Sequence, residues 1–139
     1  EWGSKPKDPH NPGPNQWNTV HSIAISKDRR LFVADRGHHR MQVFDENGKF
    51  LDMFVDGMYS SPYCHILTAD QTLWISDGGT QRFIKYDLNG NFMYAWGTWG
   101  DFPGGMWGVH GFSSDQEGNF YVAEVDKLLQ QKEADLMQV

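Results

Sequence analysis

A chain of 139 residues, 39% hydrophobic and 14% aromatic, is long and apolar enough for one folded core, which excludes a disordered polypeptide. Its formal net charge of −6 makes it a poor electrostatic match for nucleic acid or an anionic membrane surface, and no apolar run reaches the ~18 residues of a membrane span. Cys64 is the single cysteine, so no internal disulfide forms, and 15 Gly with 6 Pro point to many turns, as in an all-β protein.

In chain order, the first signal is Trp2-Gly3-Ser4, which matches Trp96-Gly97-Thr98 and places the start of the sequence at the boundary of a repeated unit. The sequence opens on Glu1 rather than Met, as expected of a fragment or of a chain whose leader has been removed; a removed leader implies a secreted or periplasmic location. Four short strands are predicted next, at 22–26, 31–35, 40–45 and 49–55. The last two are joined by Asn47-Gly48, a dipeptide whose residues both tolerate positive φ and which marks a hairpin between apolar runs. The same order returns at 64–68, 73–77, 82–87 and 91–96, with Asn89-Gly90 at the equivalent turn. A third unit begins with 111–114 and 120–124. After Glu124 the pattern requires a turn and then an Arg-x-x-x-aromatic-Asp strand. The residues from Asp126 to Met137 instead contain no β-branched side chain, are rich in helix formers and open on Asp126 as an N-cap. Residues 126–139 are therefore expected to form a short C-terminal helix of about three turns, or a tail.

The second strands define the repeat. Leu31-Phe32-Val33-Ala34-Asp35, Leu73-Trp74-Ile75-Ser76-Asp77 and Phe120-Tyr121-Val122-Ala123-Glu124 share one pattern, and their acidic residues recur at intervals of 42 and 47 residues. That is the period of four-stranded β-propeller blades. Within the second strand both faces are apolar, as burial between two neighbouring sheets requires. The expected fold is all-β, an incomplete β-propeller of about two and a half four-stranded blades, with units at 17–55, 56–97 and 98–125. Wedges of this kind leave apolar faces and strand edges open unless they meet other wedges, so a homo-oligomer is expected, first of all a dimer.

Residues 17–124 resemble the NHL repeat family, most specifically in the run Val33-Ala34-Asp35-Arg36-Gly37-His38-His39-Arg40-Met41-Gln42-Val43-Phe44-Asp45. Within that family the sequence looks most like the peptidyl-hydroxyglycine amidating lyases. In those enzymes three His hold a zinc ion in the propeller channel, each opening the first strand of a blade in a Pro-His-small-apolar pattern. Val20-His21-Ser22-Ile23 and Val109-His110-Gly111-Phe112 match it with Val in place of Pro. The spacing agrees: His21 stands 14 residues before Asp35, and His110 stands 14 before Glu124. Tyr63 takes that place in the second unit. Arg36, directly after the strand acid, matches an active-site Arg of the lyases. The third zinc His and the catalytic Tyr of that family have no counterpart among these residues.

The resemblance implies His21 and His110 as zinc ligands and Arg36 as a catalytic residue that binds a substrate carboxylate. His65 is a third metal candidate, because a displacement of two residues keeps it on the same strand face as the matching position. The alternative for each His is a strand-end residue bonded to backbone. Asp35, Asp77 and Glu124 are expected to accept backbone N–H bonds from the turns that follow them, Arg40 and Arg82 to tie adjacent blade turns, and His38 and His39 to be exposed. The first expected function is a binding or scaffold module that completes its ring by oligomerising and recognises a peptide, small molecule or partner protein. The alternative is a zinc-dependent lyase-like enzyme. No nucleic-acid or membrane partner is expected.

Overall fold

The computed structural model describes residues 2–55 and 60–124. The helix or tail expected at 126–139 lies outside the described residues. Strands β1 (Val20–Ile25), β2 (Arg30–Asp35), β3 (Arg40–Asp45) and β4 (Phe50–Val55) form one antiparallel sheet in that order, and β5 (Pro62–Leu67), β6 (Leu73–Asp77), β7 (Arg82–Tyr86) and β8 (Phe92–Trp96) form a second. Strands β9 (Val109–Ser114) and β10 (Phe120–Glu124) pair as the start of a third. The described residues are thus two whole blades and the first two strands of another. The first strands of successive blades, β1, β5 and β9, lie side by side along one edge of the stack.

Local chemistry sets the hairpins. At β3–β4 the Asp45 carboxylate accepts the N–H groups of Asn47 and Lys49, and the Asp45 carbonyl accepts the N–H of Gly48. Asp87 does the same for Asn89, Asn91 and Gly90. Only the glycine of each Asn-Gly pair has positive φ, 83° at Gly48 and 79° at Gly90. The hairpin marked by the dipeptide therefore uses one left-handed residue, although both residues tolerate positive φ. The acid at the end of the strand folds a longer turn, the glycine supplies the one left-handed position, and a bulge follows between β3 and β4.

Apolar side chains bind the blades face to face. Phe32, Ala34, Met41 and Val43 of the first blade meet Leu73, Ile75, Ile84 and Tyr86 of the second, with Phe54 and Ala95 packed at the margin. Phe83 of the second blade meets Val109 and Phe112 of the third, joined by Met106, Trp74 and Phe120. Burying side chains of this size stabilises by ~1.5–3 kcal/mol each, so the blade seams carry most of the stability. The outer faces are covered less well. Trp2 and Trp17 lean on Phe44, at ring distances of 4.6 and 5.5 Å, while Ile23 remains 60% exposed and Tyr121 63% exposed.

The recurrent acids and arginines differ between blades. Asp77 accepts N–H groups from Ser61, Gly79 and Thr80, the turn-capping role expected of it. Asp35 binds one backbone N–H, of Asn18, and otherwise takes side chains, namely His38, Arg40 and Gln42. Arg40 is buried and also donates to the carbonyls of Pro12, Gly13 and Gln16, but Arg82 is exposed. In the second blade Gln81 ties the turns instead, accepting from Gly108 and Val109 and donating to Gly78. The His38 side chain, expected to be exposed, is almost fully covered because it donates to Asp35. His39 is exposed as a residue, but its Nδ1 contacts the Ser60 carbonyl.

Candidate functional site

Three residues at the same place in the repeat converge where β1, β5 and β9 meet. The His21 and His110 rings are 4.9 Å apart, edge to face; Tyr63 lies 5.5 Å from His21, nearly parallel to it, and 5.2 Å from His110. The Arg36 guanidinium sits over the Tyr63 ring at 4.3 Å. His21, Arg36 and His110, separated by up to 89 positions in the sequence, are therefore gathered into one cluster.

A backbone irregularity recurs at this point. Val20 pairs with Asp35 and Ile23 with Val33; Pro62 pairs with Asp77 and His65 with Ile75; Val109 pairs with Glu124 and Gly111 with Ala123. Each first strand spends one more residue than its partner over the interval that contains His21, Tyr63 or His110. Such bulges re-aim side chains at the rims of sheets. The same extra residue interrupts the alternation assumed for His65. That residue is buried between the first two blades, with Nε2 donating to the Phe32 carbonyl and Nδ1 facing the Ser22 hydroxyl. Both ring nitrogens are engaged within the protein, and burial, opposed in part by the bond to Phe32, depresses its pKa from 6.5 to about 4.

The tautomer of neutral His21 is set by its surroundings. Its Nδ1 lies 2.7 Å from the Tyr63 carbonyl, which can only accept, so Nδ1 carries the proton and Nε2 keeps a lone pair. Burial lowers the pKa, the bond to Tyr63 opposes this, and the nearby His110 and Arg36 lower it further. A neutral imidazole with an available Nε2 suits a zinc ligand or a general base. Two imidazoles make part of the three-ligand set of a catalytic zinc site; among the described residues no group of three His, Cys, Asp or Glu side chains is assembled to hold a metal.

Sequence reasoning missed the part played by Tyr63 and by the glycine beneath it. A Cβ added at Gly78 would stand 2.3–2.7 Å from the Tyr63 ring, so only glycine lets the phenol lie there. Gly78 occupies the place that Arg36 holds in the first unit. Gly78→Ala is expected to push Tyr63 away from both imidazoles at a cost of ~1–3 kcal/mol. The check is loss of the upfield ring-current shifts of the His21 and His110 ring protons, with folding followed in the same spectrum.

No helix among the described residues is long and apolar enough to cross a membrane. A family model described as NHL repeat matches residues 18–44, which span β1 to β3. No curated protein matches the chain. Among solved structures, a streptogramin B lyase superposes with a TM-score of 0.60 at 15% identity, over 76% of this chain and 34% of that one. Virginiamycin B lyase from Staphylococcus aureus gives 0.61 at 12% identity, over 78% and 35%. A catalytically inactive variant of the S. aureus enzyme, with alanine in place of a histidine and crystallised with quinupristin, gives 0.58 at 11% identity, over 77% and 35%. The chain spans about a third of the length of these proteins. The shared feature is the fold, stacked β-propeller blades.

Proposed function

We propose that this chain is a propeller binding module whose ligand, a peptide or small molecule, sits on the His21–Tyr63–His110–Arg36 cluster, and that a second copy completes the ring. The observation that carries this is the cluster itself. Equivalent positions of three blades contribute two imidazoles and a phenol, and the arginine that joins them is the one the repeat does not reproduce. The stacked guanidinium keeps in-plane N–H donors for a carboxylate or carbonyl, the Nε2 lone pair of His21 accepts, and the rings supply an apolar floor. Exposed apolar side chains on the outer faces of the first and third blades give a second copy surfaces to cover. A set of N-acetyl amino acids is the probe. The expected result is binding by the wild-type chain that weakens about tenfold in Arg36→Met and in a His21→Ala/His110→Ala double variant, with a dimer by sedimentation. Binding unchanged in both variants, or a monodisperse monomer, contradicts the corresponding half of the proposal.

A second reading, a zinc-dependent lyase-like enzyme related to the amidating lyases, is favoured by the tautomer of His21. A backbone bond to Nδ1 is the usual way a ligating imidazole is oriented. The lyase names of the structural neighbours, and a histidine replacement in the inactive one, point the same way. His21 and His110 would hold the ion, with the rest of its ligand set from a second chain, and Arg36 would orient substrate. Bound zinc would polarise a substrate oxygen or activate water. Zinc titrated into purified protein is expected to bind and to lose that binding in the double variant. Equal uptake by wild type and variant rejects this reading.

A further inference from the structure

The bulge in β1 does more than turn His21 towards the cluster. Adjacent residues of a strand ordinarily point to opposite faces. In this bulge His21 and Ser22 stand against the single residue Ala34, and both reach the same atom of the second blade. His21 Nδ1 lies 2.7 Å from the Tyr63 carbonyl oxygen, and Ser22 Oγ lies 3.2 Å from it. Ser22 Oγ is closer still to a second acceptor, His65 Nδ1, at 2.5 Å.

Counting protons assigns these contacts. The Phe32 carbonyl can only accept, so His65 carries its proton on Nε2. Burial keeps that ring neutral at neutral pH, with a pKa of about 4. Its Nδ1 therefore accepts. The Ser22 hydroxyl has one proton, and the shorter contact directs it to His65 rather than to Tyr63. The Tyr63 carbonyl is then left to His21 Nδ1–H. Two imidazoles on neighbouring blades are thus held in opposite tautomers, Nε2–H at His65 and Nδ1–H at His21, with Ser22 between them.

The repeat reproduces neither member of this pair. By register with the second strands, the counterparts of His65 are Ile23 in the first blade and Phe112 in the third. Those of Ser22 are Cys64 and Gly111. At the seam between the second and third blades the equivalent residues, Cys64 and Phe112, belong to the apolar cluster. Apolar side chains therefore fit these places, and a polar pair there carries a desolvation cost that they would avoid. What the pair adds is a hydrogen-bond chain that ends beside His21. We infer that Ser22 and His65 are positioning residues of the ligand site: His65 takes the Ser22 proton, which reserves the Tyr63 carbonyl for His21 and leaves Nε2 of His21 to accept from the ligand. The inference rests on the reading of the cluster as a binding site.

The test reads the ring nitrogens of the folded full chain at neutral pH by long-range proton–nitrogen correlation. Wild type is expected to show His21 as the Nδ1–H tautomer and His65 as the Nε2–H tautomer. His65→Leu keeps an apolar side chain at the seam but offers no acceptor. The Ser22 proton then turns to the Tyr63 carbonyl and competes with His21, whose signals are expected to become those of mixed tautomers. His65→Gln can accept from Ser22 and donate to Phe32 at once, so it is expected to restore the wild-type pattern. Binding of N-acetyl amino acids is expected to follow, about fivefold weaker in His65→Leu and recovered in His65→Gln. Other tautomers in wild type, a measurement that needs no variant to fold, overturn the inference. So does a His21 pattern that His65→Leu leaves unchanged or that His65→Gln fails to restore. A wild-type chain with the expected nitrogen pattern that binds no probe counts against the binding reading alone, because the nitrogen signals decide the positioning role without a ligand.

Discussion

Asp35→Ala is expected to destabilise the chain by ~3–5 kcal/mol, enough to unfold a large fraction of a domain whose total stability is of order 5–15 kcal/mol. Asp35 is fully buried. Its Oδ1 accepts the Asn18 N–H at 2.8 Å, and its Oδ2 accepts His38 Nδ1 and Arg40 Nε at 2.9 Å and Gln42 Nε2 at 3.1 Å. Removing the carboxylate leaves the Arg40 guanidinium buried with no opposite charge, and leaves the Asn18 N–H and the Gln42 amide each short of an acceptor. An uncompensated buried charge costs more than the net worth of the pair. Asp77→Ala is the internal comparison. Asp77 is equally buried, but it caps backbone and Thr80 and no buried guanidinium depends on it, so a loss of ~1–3 kcal/mol is expected. Urea unfolding of the two variants beside wild type measures the difference. Equal losses would mean that turn capping, rather than the Arg40 charge, sets the cost.

The second large effect is a loss of stability in mild acid that depends on His65. Its folded pKa of about 4 lies below the ordinary value of 6.5, so the unfolded chain takes up this proton more readily than the folded one. Stability from His65 is therefore complete above pH 6.5 and falls as pH drops through the window down to 4. At ~1.4 kcal/mol per pH unit, the whole window amounts to ~3 kcal/mol. The cause is burial of the ring between the first two blades, where a charged imidazole is poorly solvated. A His65→Gln variant loses some packing at every pH but keeps no proton to gain. The difference in unfolding free energy between wild type and variant should shrink steadily from pH 7 to pH 4.5. A difference that stays constant over that range would show that His65 does not titrate in the way its burial requires.

Much of the architecture was legible in the sequence because the repeat is written in residues that physics forces to recur. The apolar second strands, the acid that ends them and the Asp-x-Asn-Gly turns each follow from burial on both faces or from a left-handed turn position. The convergence of His21, His110 and Arg36 was also readable, since equal spacing from the strand acid places residues at equal depth in successive blades. What escaped was local. Simple alternation put His65 beside the cluster, but one extra residue per first strand breaks that alternation, and no composition signal marks a bulge. Tyr63 stood in the matching position of the second unit, yet its role depends on Gly78, which reads as an ordinary turn glycine until the ring is seen resting on it. The contrast between Arg40 and Arg82 was hidden for a similar reason. Arg40 is buried because the segment from Pro12 to Gln16 wraps over it, and that contact is not part of the repeat.

The most direct test of the cluster, and of the blade stacking that creates it, is a nuclear Overhauser experiment on the folded chain with labelled histidine and tyrosine. Cross-peaks that connect the ring protons of His21, Tyr63 and His110, all weakened in Gly78→Ala, are the expected result. A folded spectrum without contacts between the His21 and His110 rings would contradict the account.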